Sequence, residues 1–96
     1  MVFKNLEQLK NILGRIFPPH RINRIITLLS RGENFKMEIV SIFDNKYEFE
    51  NINHLANFIL ICDYFYVKNK LGDIPEEALN KIYSVSKNSK NIFYIQ

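Results

Sequence analysis

Two histidines, one cysteine and ten carboxylates are the side chains through which this 96-residue chain could do acid–base, nucleophilic or metal chemistry. Their spacing argues against all three. Cys62 lies inside the most apolar stretch, Phe58 to Val67, where a thiol acts as a small core hydrophobe with a raised pKa. His54 falls eight residues earlier on the same predicted helix, roughly 12 Å along its axis at 1.5 Å per residue, too far to activate that thiol. Only His20 remains as a dyad partner. Two His and one Cys do not make zinc-ligand spacing. Glu48 and Glu50 alternate along a strand or loop, and Glu76-Glu77 open a helix, where carboxylates favour the backbone dipole. The three glycines form no phosphate-cradling loop. The expectation is a non-enzyme with no cofactor and no metal.

Charge is the stronger signal. Net charge is +3, unevenly spread. Residues 1–31 carry Lys4, Lys10, Arg15, Arg21, Arg24 and Arg31 against Glu7 alone. Residues 32–63 set Lys36 and Lys46 against Glu33, Glu38, Asp44, Glu48, Glu50 and Asp63. The last third is basic again, with Lys68, Lys70, Lys81, Lys87 and Lys90 against three carboxylates. All four arginines fall within 15–31. Arginine forks phosphate bidentately, so the cluster suits a polyanion-facing surface. The alternative is a solvated helix face that balances the acidic middle.

The elements that must position these groups belong to one domain, 1–96. A chain of this length buries about 60–65% of its unfolded surface and holds one core. An apolar share of 47% is enough to form it. One cysteine excludes an internal disulfide framework. The start, Met1 to Glu7, has no signal-peptide pattern, and the longest apolar run is far short of the roughly 20 residues a span needs. A cytoplasmic protein without membrane attachment is expected.

Leu6, Leu9, Leu13, Ile16 and Phe17 recur at helical spacing over 3–17, and Pro18-Pro19 stops that helix. Ile22, Ile25, Ile26 and Leu29 share one face of a second helix, 20–31, with Arg24 and Arg31 opposite. Over 33–51 two patterns compete. Phe35, Ile39, Ile42 and Phe43 fit a helix at 35–43; Phe35, Met37, Ile39 and Phe43, then Tyr47 and Phe49, fit a hairpin at 36–50. Residues 52–70 form the main core helix, capped by Asn51 or Asn53 and closed by Gly72. It is apolar nearly all round, so it is central or shared with another chain. A helix at 73–81 has Asp73 as cap and Pro75 in its first turn. A final hairpin at 82–95 pairs Tyr83 with Tyr94 and Val85 with Ile92 across a basic loop; the competing reading extends the preceding helix to Val85 and leaves 92–95 as a lone strand. The fold class is mainly α with a small β-hairpin, α+β.

The run Arg24 to Glu33, followed by Phe35 to Phe43, resembles the first two helices of winged helix-turn-helix regulators. The last 15 residues resemble their wing. The resemblance covers about 75 residues if 52–66 is the recognition helix. It implies a homodimeric transcriptional regulator binding double-stranded DNA. Asn53, His54 and Asn57 would then meet base edges, with Asn suited to adenine. Lys87, Asn88 and Lys90 would meet backbone at the wing tip, and Arg24 and Arg31 would meet phosphate. The runner-up is a small virus- or plasmid-encoded protein–protein interaction module or inhibitor of a host complex. It would use charge segregation for steering and aromatics for anchoring.

Overall fold

A computed structural model describes residues 6–31, 36–70 and 73–88 of the chain. Among the described residues there are four helices and one two-stranded antiparallel hairpin, an α+β arrangement.

Helix α1, Leu6–Leu13, buries Leu9, Ile12 and Leu13. It ends four residues before the expected limit. The backbone then tightens, with Arg15 N–H donating to the Ile12 carbonyl and Ile16 N–H to the Leu13 carbonyl. These bonds to the third residue back turn the chain so that Ile16 and Phe17 still point fully into the core. Helix α2, Pro19–Arg31, opens on its proline, whose missing N–H would have no partner in a first turn anyway. Ile25, Leu28 and Leu29 are buried, and Arg24 and Arg31 face solvent, as the periodicity requires.

The ambiguous segment is a hairpin, so the alternative helix at 35–43 is excluded. Strands β1, Met37–Val40, and β2, Lys46–Phe49, pair Met37 with Phe49 and Ile39 with Tyr47. Those four side chains are buried on one face. The outer face sets Glu38 directly opposite Glu48, and Lys36 relieves that repulsion through a 2.6 Å ion pair to Glu48. The turn spans Ser41 to Asn45, whose backbone groups bond across it, Ser41 N–H to the Asn45 carbonyl. Asp44 N–H donates to the Ser41 carbonyl, and Asp44 takes the left-handed backbone, φ 65°. The Ser41 hydroxyl accepts from the N–H groups of Phe43 and Asn45, closing the loop. Ile42 N–H donates to the Ile16 carbonyl and pins the turn to the exit of α1.

Helix α3, Ile52–Asn69, starts at Asn51, whose side-chain oxygen accepts from His54 N–H at 3.0 Å. It ends at Lys70 in the left-handed region, φ 51°, and not at Gly72. From His54 to Ile59 every residue is buried, under α1, α2, the hairpin and the last helix.

Helix α4, Glu76–Asn88, corrects two expectations. It begins after Pro75, so Asp73 does not cap it; Asp73 instead pairs with Arg15 at 3.8 Å. It also continues through 82–88, so the strand half of the hairpin reading is helical and the competing extension of the helix past 81 is the one formed, three residues beyond Val85. Leu79, Ile82 and Ser86, spaced three and four apart, turn inward. Strand geometry would have put Ser84 and Ser86 on the same face as Ile82. The other half of that hairpin, 89–95, lies outside the described residues.

The core is aromatic at its centre. Phe58 lies 6.2 Å from Phe17, 5.4 Å from Tyr47, 5.4 Å from Phe49 and 6.2 Å from Tyr83, ring centre to ring centre. The rings are tilted or edge-on, the arrangement their quadrupoles favour. One phenylalanine thus joins α1's exit, β2 and α4 around α3.

Candidate interaction surfaces

The residues expected to read DNA separate into accessible and inaccessible groups. Asn53 is exposed in the first turn of α3. His54 and Asn57 are 6% and 3% exposed, so neither can reach a base edge. Within α3 the packing against α4 and the hairpin claims the face that a recognition helix would present. Lys87 is exposed on α4, within electrostatic reach of Glu48; it belongs to a helix and not to a wing. Asn88 ends that helix, and Lys90 lies outside the described residues. A hairpin thus stands in place of the expected second helix, and a helix in place of the expected first wing strand.

His54 is a structural histidine. Its Nδ1 accepts from the Glu50 backbone N–H at 3.3 Å, which leaves the proton of the neutral ring on Nε2. Phe49 meets it edge-on at 5.0 Å and Tyr83 lies 5.4 Å away. Burial pushes its pKa below the ordinary histidine value, against the pull of nearby Glu50. Cys62 is fully buried, and burial pushes its thiol well above the ordinary range. A thiol held protonated is a poor nucleophile. No three His, Cys, Asp or Glu side chains converge on a possible metal position among the described residues. None of the described helices is long and apolar enough to cross a membrane.

Two surfaces remain. The first is the outer face of α2. His20, Asn23, Arg24, Thr27, Ser30 and Arg31 are exposed there, and the helix contains no carboxylate. Thr27 and Ser30 donate back to the carbonyls of Asn23 and Ile26, so their hydroxyls are spent on the helix itself. The face offers cations and amides to an acidic or phosphorylated partner.

The second surface has only an indirect signal in the sequence. A groove of about 430 Å³ runs between the C-terminal half of α3 and the length of α4. Ile61 and Phe65 form one wall; Pro75, Ala78, Ile82 and Val85 form the other, with Glu77 and Lys81 also lining it. Val85 in that lining is well exposed, as are Tyr64 and Val67 of α3 outside it. Tyr64 is 66%, Val67 63% and Val85 55% accessible. Lone exposed apolar residues are ordinary, but an apolar groove with an exposed aliphatic side chain in its wall is a candidate contact site. The indirect signal is the surplus of apolar residues on α3. Its first half uses that surplus in the core. Its second half leaves it on the surface.

No family model, no curated protein and no solved structure matches this chain.

Proposed function

We propose that the chain is a small protein–protein interaction module that docks its partner in the groove between α3 and α4. The apolar lining of that groove, with Val85 55% accessible in its wall, carries the reading. Large aromatic and aliphatic side chains held on rigid helices are the anchors from which interface affinity is built. The segregated charge supports it. An acid-free α2 and a hairpin with Glu38, Glu48 and Glu50 outward would orient an approaching partner before contact. A virus- or plasmid-encoded inhibitor of a host complex is one form such a module takes. The single buried thiol, Cys62, suits a cytoplasmic setting.

A photo-crosslinking residue placed at position 64, with position 23 on α2 as control, tests the reading. Adducts to a protein are expected from 64 and not from 23. The captured protein, purified and rebound, should lose at least about tenfold in affinity to Val85→Glu, the scale of one buried anchor. Equal adducts from both positions, or unchanged affinity, would end the proposal.

A second reading, contact with double-stranded DNA, is favoured by one observation, the acid-free face of α2 with Arg24 and Arg31. Contact there would be to backbone phosphate, which positions without specifying sequence. It predicts duplex binding that weakens steeply with salt, with a shallower slope after Arg24→Ala and Arg31→Ala. Absence of binding at low salt would remove it.

A further inference from the structure

We propose that the occupant of the α3/α4 groove is a second copy of this chain, packed α4 against α4 about a two-fold axis. This rests on the groove being a protein-docking site and names its partner.

The charges on α4 point to this partner. Glu77 and Lys81 are both exposed and both line the groove. They stand one helical turn apart on the solvent edge of the apolar row Ala78, Ile82 and Val85. Neither forms a salt bridge among the described residues. An isologous contact repeats every pairing twice, residue i on j and j on i. In an antiparallel crossing centred at the level of Leu79, Glu77 of each copy lies opposite Lys81 of the other. Both charges are then paired, twice over. A partner of one charge sign would satisfy one of them and repel the other. The edge of α4 is complementary to itself reversed.

The apolar part has the same symmetry. The groove runs from Pro75 at the start of α4 to Val85 near its end. Reversing a second copy over it carries each Val85 toward the Pro75 end of the other groove. Ala78 near the middle lets the two helices approach closely. Tyr64, three residues beyond Ile61 on α3, extends the apolar surface past the groove. α2 makes few contacts with α4, so its basic face stays open in such a pair.

The test is sedimentation of the purified 96-residue chain from low micromolar to millimolar concentration, with circular dichroism to establish that each variant folds. A reversible monomer–dimer equilibrium is expected. Val85→Glu, at a side chain already exposed, should weaken it at least about tenfold, the loss typical of one interface anchor. Glu77→Lys alone and Lys81→Glu alone should each weaken self-association, because each sets like charges opposite. Mixing those two variants should restore dimers, as heterodimers of the two, to within about threefold of the original affinity, since both charge pairs are regained. A chain that stays monomeric throughout overturns the inference. So does a dimer indifferent to all three substitutions, or a mixture that does not recover. A monomeric chain that still gives adducts from position 64 to another protein would leave the docking reading standing and remove only the second copy.

Discussion

The Tyr83 hydroxyl donates a hydrogen bond to the backbone carbonyl of Glu48, joining α4 to the second strand of the hairpin across 35 residues of sequence. The Tyr47 hydroxyl donates in the other direction, from β2 to the Asn80 side chain at 2.7 Å. Two tyrosines thus latch the hairpin to the last helix. The Tyr83 ring also stacks 4.8 Å from Tyr47.

Removing the hydroxyl alone separates the bond from the packing. Tyr83→Phe should cost about 0.5–1.5 kcal/mol in chemical denaturation, the net worth of one hydrogen bond. Tyr83→Ala also removes a ring that touches Tyr47, Phe49 and Phe58, and should cost about 3–5 kcal/mol. Equal losses for the two variants would mean that the ring packing contributes nothing.

Stability should fall on mild acidification because of His54. Its folded pKa lies below the unfolded value of about 6.5, so the unfolded chain binds the proton more readily. The contribution is complete above about pH 6.5 and is lost as pH falls through the folded pKa. Protonation would also remove the Nδ1 lone pair that accepts from Glu50 N–H. His54→Gln should flatten the dependence between about pH 7 and 5 in thermal melts, the range over which histidine titrates. A wild-type melting temperature constant over that range would contradict the assignment.

Among the described residues, two non-glycine positions in left-handed backbone can be relieved. Asp44 and Lys70 have φ 65° and 51°. That region costs an ordinary L-residue about 1–2 kcal/mol. Lys70→Gly, at an exposed helix end, should stabilise by about 0.5–1 kcal/mol and raise the melting temperature by several degrees. Asp44→Gly should gain less, since aspartate tolerates this conformation better than lysine. A loss at position 70 would show that the lysine side chain makes a contact worth more than the strain.

Cys62 should resist thiol reagents in the folded chain. It is fully buried with its thiol pushed up, so labelling must wait for opening of α3. Labelling should be complete in denaturant and slow in buffer at mildly alkaline pH. Rapid modification of folded protein would place the thiol at the surface.

Helices whose apolar residues lie on one stripe are legible in the sequence itself. α2 and its outward arginines follow from spacing alone, because one face can be buried in only one way. α3 is equally legible as a core helix, with Asn51 as one of two caps. The hairpin is legible only as one of two options, since Phe35, Ile39 and Phe43 satisfy both periods. What chooses between them is the pocket around Phe58, which admits Tyr47 and Phe49 together with Met37 and Ile39. That pocket is built from α1, α3 and α4, distant in sequence.

The end of α4 goes the other way for the same reason. Ile82-Tyr83-Ser84-Val85-Ser86 has strand-like composition, but propensity is worth tenths of a kcal/mol per residue, and burial of Leu79 and Ile82 against α3 is worth more. With 82–88 helical, the first strand of the expected wing is replaced, His54 and Asn57 lie under neighbouring elements, and Val85 stands beside Ile61 and Phe65 in a groove. Composition and periodicity decide which residues must leave water. Which of them find cover within the chain, and which stay outside for a partner, is settled by contacts between elements far apart in sequence, and those exist only in the folded molecule.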